Sequence, residues 1–112
     1  ARETAALLAL PHPPTCILFP DDFSAIGGLN TIAAAGLRVP DDISVAGYDG
    51  IYLSQTMSPR LTTYRQDTAA LGRTAAARLI ELIEKPRTTV MDRTVVTGAL
   101  LPGGTVAAPC TE

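Results

Sequence analysis

Two short apolar runs, Thr15-Cys16-Ile17-Leu18-Phe19 and Ile43-Ser44-Val45-Ala46-Gly47-Tyr48, constrain this chain more than any other feature. Both are β-prone, too short for a helix and followed by acids: Asp21 and Asp22 after the first, Asp49 after the second. Runs of this kind read as strands buried on both faces. Between them Phe23, Ile26, Leu29, Ile32 and Ala33 recur at helical spacing behind Asp21 and Asp22, either of which can cap a helix N-terminus. Gly36 can close the last turn in a left-handed conformation, with Leu37 folding back as its apolar contact. Gly27 and Gly28 lower helix propensity, which points to close packing against a neighbour. Strand, helix and strand in this order form a βαβ unit, with parallel strands and a right-handed crossover. Both acidic strand ends therefore fall on one edge of the sheet.

The flanks extend this unit. Ala1 to Leu10 is rich in strong helix formers and is stopped by Pro11, Pro13 and Pro14. Val39-Pro40-Asp41-Asp42 is a turn, and Gly50 to Arg60 reads as a short helix or loop. Leu61-Thr62-Thr63-Tyr64-Arg65 is a third strand. Asp67 or Thr68 then caps a long helix with Leu71, Ala75, Leu79, Leu82 and Ile83 on one face, ended by Pro86. Thr88 to Val96 and Ala99 to Ala107, around Pro102-Gly103-Gly104, suggest two short strands or a hairpin. The expected class is α/β with a parallel sheet. At 112 residues this is one domain at most, with a core that a partner would help complete. A start at Ala1 inside a helical pattern suggests a piece of a longer protein.

Charge and chemistry exclude several functions. The net charge is -2, the arginines are scattered singly and Lys85 is the only lysine, so no basic stripe can neutralise phosphates. Aromatic residues make up 4% and Trp is absent, which leaves no stacking platform for single strands. No apolar run is long enough to span a membrane. Cys16 and Cys110 lack metal-ligand spacing and His12 stands alone, so no metal site is expected. Cys16 reads as a small core residue. Its pairing with Cys110 is left open, and the lack of a secretory leader favours a reducing cytoplasm.

No nucleophile elbow or glycine-rich phosphate loop is present, and a phosphoacceptor site would need a lysine after a later strand. Neither catalysis nor a cofactor is expected. Asp21, Asp22 and Asp49 have two readings: helix and turn caps, or a polar edge whose carboxylates accept hydrogen bonds from a ligand's hydroxyl or amine groups. In open parallel sheets ligands gather outside the carboxyl ends of the strands, where these acids lie.

The strings Phe19-Pro20-Asp21-Asp22-Phe23-Ser24-Ala25-Ile26-Gly27, Gly36-Leu37-Arg38-Val39-Pro40-Asp41-Asp42-Ile43-Ser44-Val45-Ala46-Gly47-Tyr48-Asp49 and Pro59-Arg60-Leu61-Thr62-Thr63-Tyr64-Arg65-Gln66, with Leu71-Gly72, strongly resemble the lactose-repressor (LacI/GalR) family of bacterial transcription regulators. The resemblance implies a periplasmic-binding-protein-like lobe with α/β/α layers. Residues 1–112 would be the C-terminal lobe of an effector-binding core, without the DNA-binding headpiece and most of the N-terminal lobe. The implied function is sensing of a sugar, or a related polyol or nucleoside, by a cytoplasmic homodimeric repressor. Operator DNA would be met only through the absent headpiece. A transport-type periplasmic sugar-binding protein, which shares the lobe, is the alternative.

By the same resemblance, Asp49 matches the family's ligand-contacting Asp and Gln66 its glutamine after the third strand. Asp21 replaces the family's Asn. Asn both donates and accepts, whereas ionised Asp only accepts, so Asp21 beside Asp49 favours ligands rich in donors unless one carboxyl stays protonated. Gly50, Arg60 and Pro102 also depart from the pattern. The family dimerises through this lobe, with Ile26, Asn30, Ala33 and Met57 as the matching interface residues.

Overall fold

The computed structural model describes residues 1–88, 90 and 92–109. They fall into two units, Ala1–Arg65 with the segment from Leu100 onward, and Gln66–Ala99. In the first unit α1 (Arg2–Leu8) precedes β1 (Cys16–Leu18), α2 (Asp22–Ala34), β2 (Ser44–Asp49), α3 (Tyr52–Thr56) and β3 (Thr62–Arg65). The second unit holds α4 (Thr68–Glu84), and β4 (Ala99–Leu101) spans the boundary. The sheet order is β1-β2-β3-β4, with β1 parallel to β2 and β2 parallel to β3. The βαβ unit read from the sequence is present.

The core forms where α2 covers one face of the sheet. Pairing Ile17 with Val45 and Gly47 with Thr63 puts these four side-chain positions on a common face, since side chains alternate along a strand. Ile17 and Val45 pack with Ala25, Ile32, Ile43 and Leu61, all buried, and Leu8, Phe19, Leu29, Val39 and Met57 close around them. Full burial of Ile32 alone contributes about 2–3 kcal/mol. Gly28 is needed because a Cβ there would collide with the Phe19 ring, whereas Gly27 faces open space. Close packing thus accounts for one of the two helix glycines.

The end of α2 follows the sequence signal. Gly36, at φ 79°, donates its N–H to Ala33 and Leu37 donates to Ile32, the paired bonds of a left-handed helix stop. The turn into β2 is then fixed by Asp42, which accepts from the Arg38 backbone N–H (2.7 Å) and from its guanidinium at 3.0 and 2.9 Å. Donation from the Arg38 side chain, then from its backbone, holds the Asp42 carboxyl below its ordinary range.

Two expectations are corrected. β1 is buried on one face only: Ile17 is covered, while Cys16 and Leu18 alternate to the other face and are exposed, Leu18 by 73%. β1 is an edge strand, and the core helices of its unit lie on the Ile17 side. Cys16 is therefore an exposed free thiol and not a core residue; Cys110 lies outside the described residues.

The second correction concerns the C-terminal segment. β4 (Ala99–Leu101) is one of the two short strands expected, but no hairpin forms around Pro102-Gly103-Gly104, and residues 92–98 contain no strand. The chain instead runs against the starts of β2 and β3. Gly104 N–H donates to Arg60 O (2.8 Å), Gly103 N–H donates to Thr62 Oγ1 (3.1 Å), and a Cβ at Gly103 would strike the backbone of residues 60–62. Buried Thr105 bridges both strands: its hydroxyl donates to Val45 O (2.7 Å) and accepts from Thr62 N–H (2.9 Å). Val45 N–H donates in turn to Thr105 O (2.8 Å). These bonds satisfy backbone groups at a point where β2 and β3 have not yet paired, since their ladder begins at Ala46 and Thr62.

In the second unit Asp67 caps α4, its side chain accepting from Ala70 N–H at 2.8 Å, as the sequence allowed. Leu79 and Ile83 of its apolar stripe are exposed. No helix among the described residues is long and apolar enough to cross a membrane.

Candidate ligand-binding edge

Parallel pairing carries the ends of β1 and β2 to the same edge of the sheet, and the acids emerge there. Phe19 N–H donates to Ala46 O (2.8 Å), extending the β1–β2 ladder by one bond before Pro20 ends it. Asp21 follows in extended conformation as the N-cap of α2. Its two carboxylate oxygens accept from Ser24 N–H (2.7 Å) and Ser24 Oγ (2.8 Å). The Ser24 backbone bond, then its hydroxyl bond, hold the Asp21 carboxyl below its ordinary 3.8. Asp21 is thus an ionised, half-exposed acceptor and not a protonated partner of Asp49.

Asp49 closes β2 with φ 107°, the left-handed side of backbone space, which costs a non-glycine residue roughly 1–3 kcal/mol. Its side chain is half-exposed. Gly50 follows at φ 68°, and a Cβ there would run into Arg65. Two successive positive φ values turn the chain sharply at the strand end. Asn and Asp tolerate this conformation better than other side chains do, so the position combines a backbone constraint with a carboxylate at the sheet edge.

Asp22, which the sequence left as an alternative cap, has a different place. It is fully buried. Its Oδ1 accepts from the buried Thr63 hydroxyl (2.6 Å) and its Oδ2 from Ile51 N–H (2.9 Å). Thr63 Oγ1 in turn accepts from Gly50 N–H (3.3 Å). Gly47 makes room, because a Cβ there would meet the Asp22 carboxylate and crowd Leu61. A usable signal was present: Gly47 inside an apolar strand marks a close approach to its backbone.

Gln66 directly follows β3 and is the first residue of the second unit, half-buried. The structure therefore brings Asp21 and Asp49 to one edge of the first unit, through the chain neighbour Asp22, whereas Gln66 belongs to the second unit. Among the described residues no group of three or more His, Cys, Asp or Glu is arranged to hold a metal ion. The edge can accept hydrogen bonds from a polyol or an amine.

Of the four expected interface residues, Asn30, Ala33 and Met57 line one groove of about 280 Å³ between α2 and the Met57–Pro59 segment. Ile26 is half-buried and does not line it. Leu29, Leu37 and Val39 supply the rest of its apolar wall.

Residues 1–106 match the periplasmic binding protein-like domain family. The chain is 49% identical over 82 residues to the probable HTH-type transcriptional repressor ExuR of Bacillus subtilis (strain 168), covering 73% of this chain and 25% of that protein. Among solved structures it is similar to the Lac repressor dimer bound to operator and the anti-inducer ONPF, with TM-score 0.85 and 34% identity over 96% of this chain and 37% of that one. A LacI family regulator from Arthrobacter sp. FB24 in complex with lactose superposes with TM-score 0.79 and 32% identity, covering 95% of this chain and 40% of that one. The chain spans about a quarter of the length of ExuR.

Proposed function

Because this chain belongs to the periplasmic binding protein-like family, within the core of LacI-type transcriptional regulators, we propose that residues 1–112 are the C-terminal lobe of an effector-sensing domain. The effector is a small hydroxyl-rich molecule, a sugar or a related polyol or nucleoside. Asp49 carries the reading: a half-exposed carboxylate, turned out of β2 at positive φ on the edge where parallel sheets bind ligands. Asp21 offers its outer lone pairs on the same edge; Gln66, which belongs to the other unit, is a candidate contact by the resemblance alone. All act by hydrogen bonding, and no bond is made or broken.

The regulatory step is a population shift. An effector that prefers one angle between the two lobes stabilises that angle, and paired headpieces outside this chain then engage operator DNA differently. Dimerisation runs through Asn30, Ala33 and Met57 in the α2 groove, with Ile26 beside it. Similarity to named transcriptional repressors supports a cytoplasmic regulator over the transport-type alternative and over an enzyme.

The test is calorimetric titration of a full-length regulator containing this lobe with lactose, monosaccharides and ribonucleosides. One of these binds, and Asp49→Ala weakens it about tenfold or more, the scale of a lost charged hydrogen bond. Unchanged binding in Asp49→Ala would remove the carboxylate from the site and with it this reading.

A further inference from the structure

We propose that Asp22 is a positioning residue: from inside the protein it holds the backbone turn that presents Asp49 to the effector. The inference rests on the effector-binding reading of Asp49. Its evidence is the direction of the hydrogen bonds around the buried carboxylate.

Both carboxylate oxygens of Asp22 act as acceptors, and each fixes the direction of the donor it meets. Ile51 N–H points at Oδ2 directly. Thr63 must spend its single hydroxyl proton on Oδ1, which leaves its oxygen lone pairs to receive Gly50 N–H. The two peptide N–H groups immediately after Asp49 thus converge on one carboxylate, one directly and one through Thr63. The Gly50 N–H direction reports the ψ of Asp49, and the Ile51 N–H direction reports the ψ of Gly50. Both of these residues have positive φ. A conformation that costs energy persists only where its surroundings over-determine it, and here the carboxylate does so.

Asp22 also joins the two faces of the ligand edge. It is the first residue of α2, covalently next to Asp21. One side chain thus links the Asp21 cap to the Asp49 turn. Asparagine keeps only one of the two acceptors: with its oxygen toward Ile51 N–H, its amide N–H faces Thr63 Oγ1 and the Thr63 hydroxyl proton loses the acceptor that oriented it.

Amide hydrogen exchange by NMR on the 112-residue chain tests this without any ligand. In the unaltered protein Gly50 and Ile51 exchange slowly although they lie in a strand-end turn. Asp22→Ala, which removes both acceptor oxygens, speeds both by about tenfold or more, while Val45 and Thr62, which bond to Thr105, keep their protection. Thr63→Val releases Gly50 and spares Ile51, and Thr63→Ser, which keeps the hydroxyl, restores Gly50. These variants carry the test if Asp22→Ala fails to fold. A uniform loss at all four amides would make Asp22 a general stability residue, and no change at Gly50 or Ile51 would mean the turn is held otherwise; either overturns the proposal. Lactose or nucleoside titration of the full-length Asp49→Ala regulator addresses the effector reading separately, so the two can fail independently.

Discussion

Asp21 shows how the choice between a carboxylate and an amide sets the chemistry of a helix cap. Where the resemblance has asparagine, this chain has a carboxylate whose two oxygens both accept from Ser24. Asn would keep the backbone cap through its carbonyl, but its amide nitrogen could only donate to the Ser24 hydroxyl, so the charge-assisted character of both bonds is lost. The pH dependence follows from the direction of the shift. The folded-state value lies below 3.8, so the stabilisation is fully present above the unfolded value and is lost as pH falls through the folded one. Asp42, lowered by Arg38, contributes with the same sign in both proteins and cancels from the comparison. The expected outcome is that Asp21→Asn unfolds at lower urea concentration than the parent sequence near neutral pH, and that the gap narrows as pH drops below 3.8. A gap independent of pH would mean that Ser24 does not favour the ionised form.

At the level of elements, the C-terminal strap around Thr105 binds the sheet where strand pairing has not begun. Thr105→Val preserves volume and β-branching but leaves Val45 O and Thr62 N–H buried with one fewer partner each. At about 1–3 kcal/mol for an unsatisfied buried group, a loss in the range of about 2–4 kcal/mol is expected in chemical denaturation. A change below about 0.5 kcal/mol would show that solvent reaches these groups. None of this was legible in the sequence, where Pro102-Gly103-Gly104 carries the local signature of a hairpin turn. Local turn chemistry shows where a chain bends and is silent about which distant backbone groups it then meets. The elements that were legible, β1 through β3 and α4, announce themselves by short-range signals: a period of two or of 3.6, Asp67 at a cap, Gly36 at a stop. For the ligand edge, Asp21 and Asp49 could be placed by strand direction alone, whereas the role of Asp22 needed the three-dimensional approach of Thr63 and Ile51. Burial of β1 was misjudged for the related reason that an apolar run does not reveal whether both its faces are covered.

For the whole molecule, the decisive quantity is how much of a ligand this chain can enclose. Small-molecule sites bury about 70–90% of their ligand, and affinity depends on desolvating the polar contacts as well as making them. Here Asp21 and Asp49 stand half-exposed on one sheet edge, and the oxygens of Asp21 already hold Ser24. Hydrogen bonds from one open edge exchange water for ligand at nearly equal free energy, so they orient a sugar without retaining it. The chain covers only 40% of the regulator solved with lactose, so most of that protein's length has no counterpart here. Titration of the isolated 112-residue chain with lactose or ribonucleosides should accordingly give no saturable binding below about 1 mM, equivalent to less than about 4 kcal/mol of binding free energy. On the two-lobed reading proposed above, a full-length regulator containing this lobe should bind its effector tighter by orders of magnitude. Sub-millimolar binding by the chain alone would contradict the two-lobed mechanism, because a single edge would then enclose enough of the ligand and no interlobe angle would be linked to occupancy.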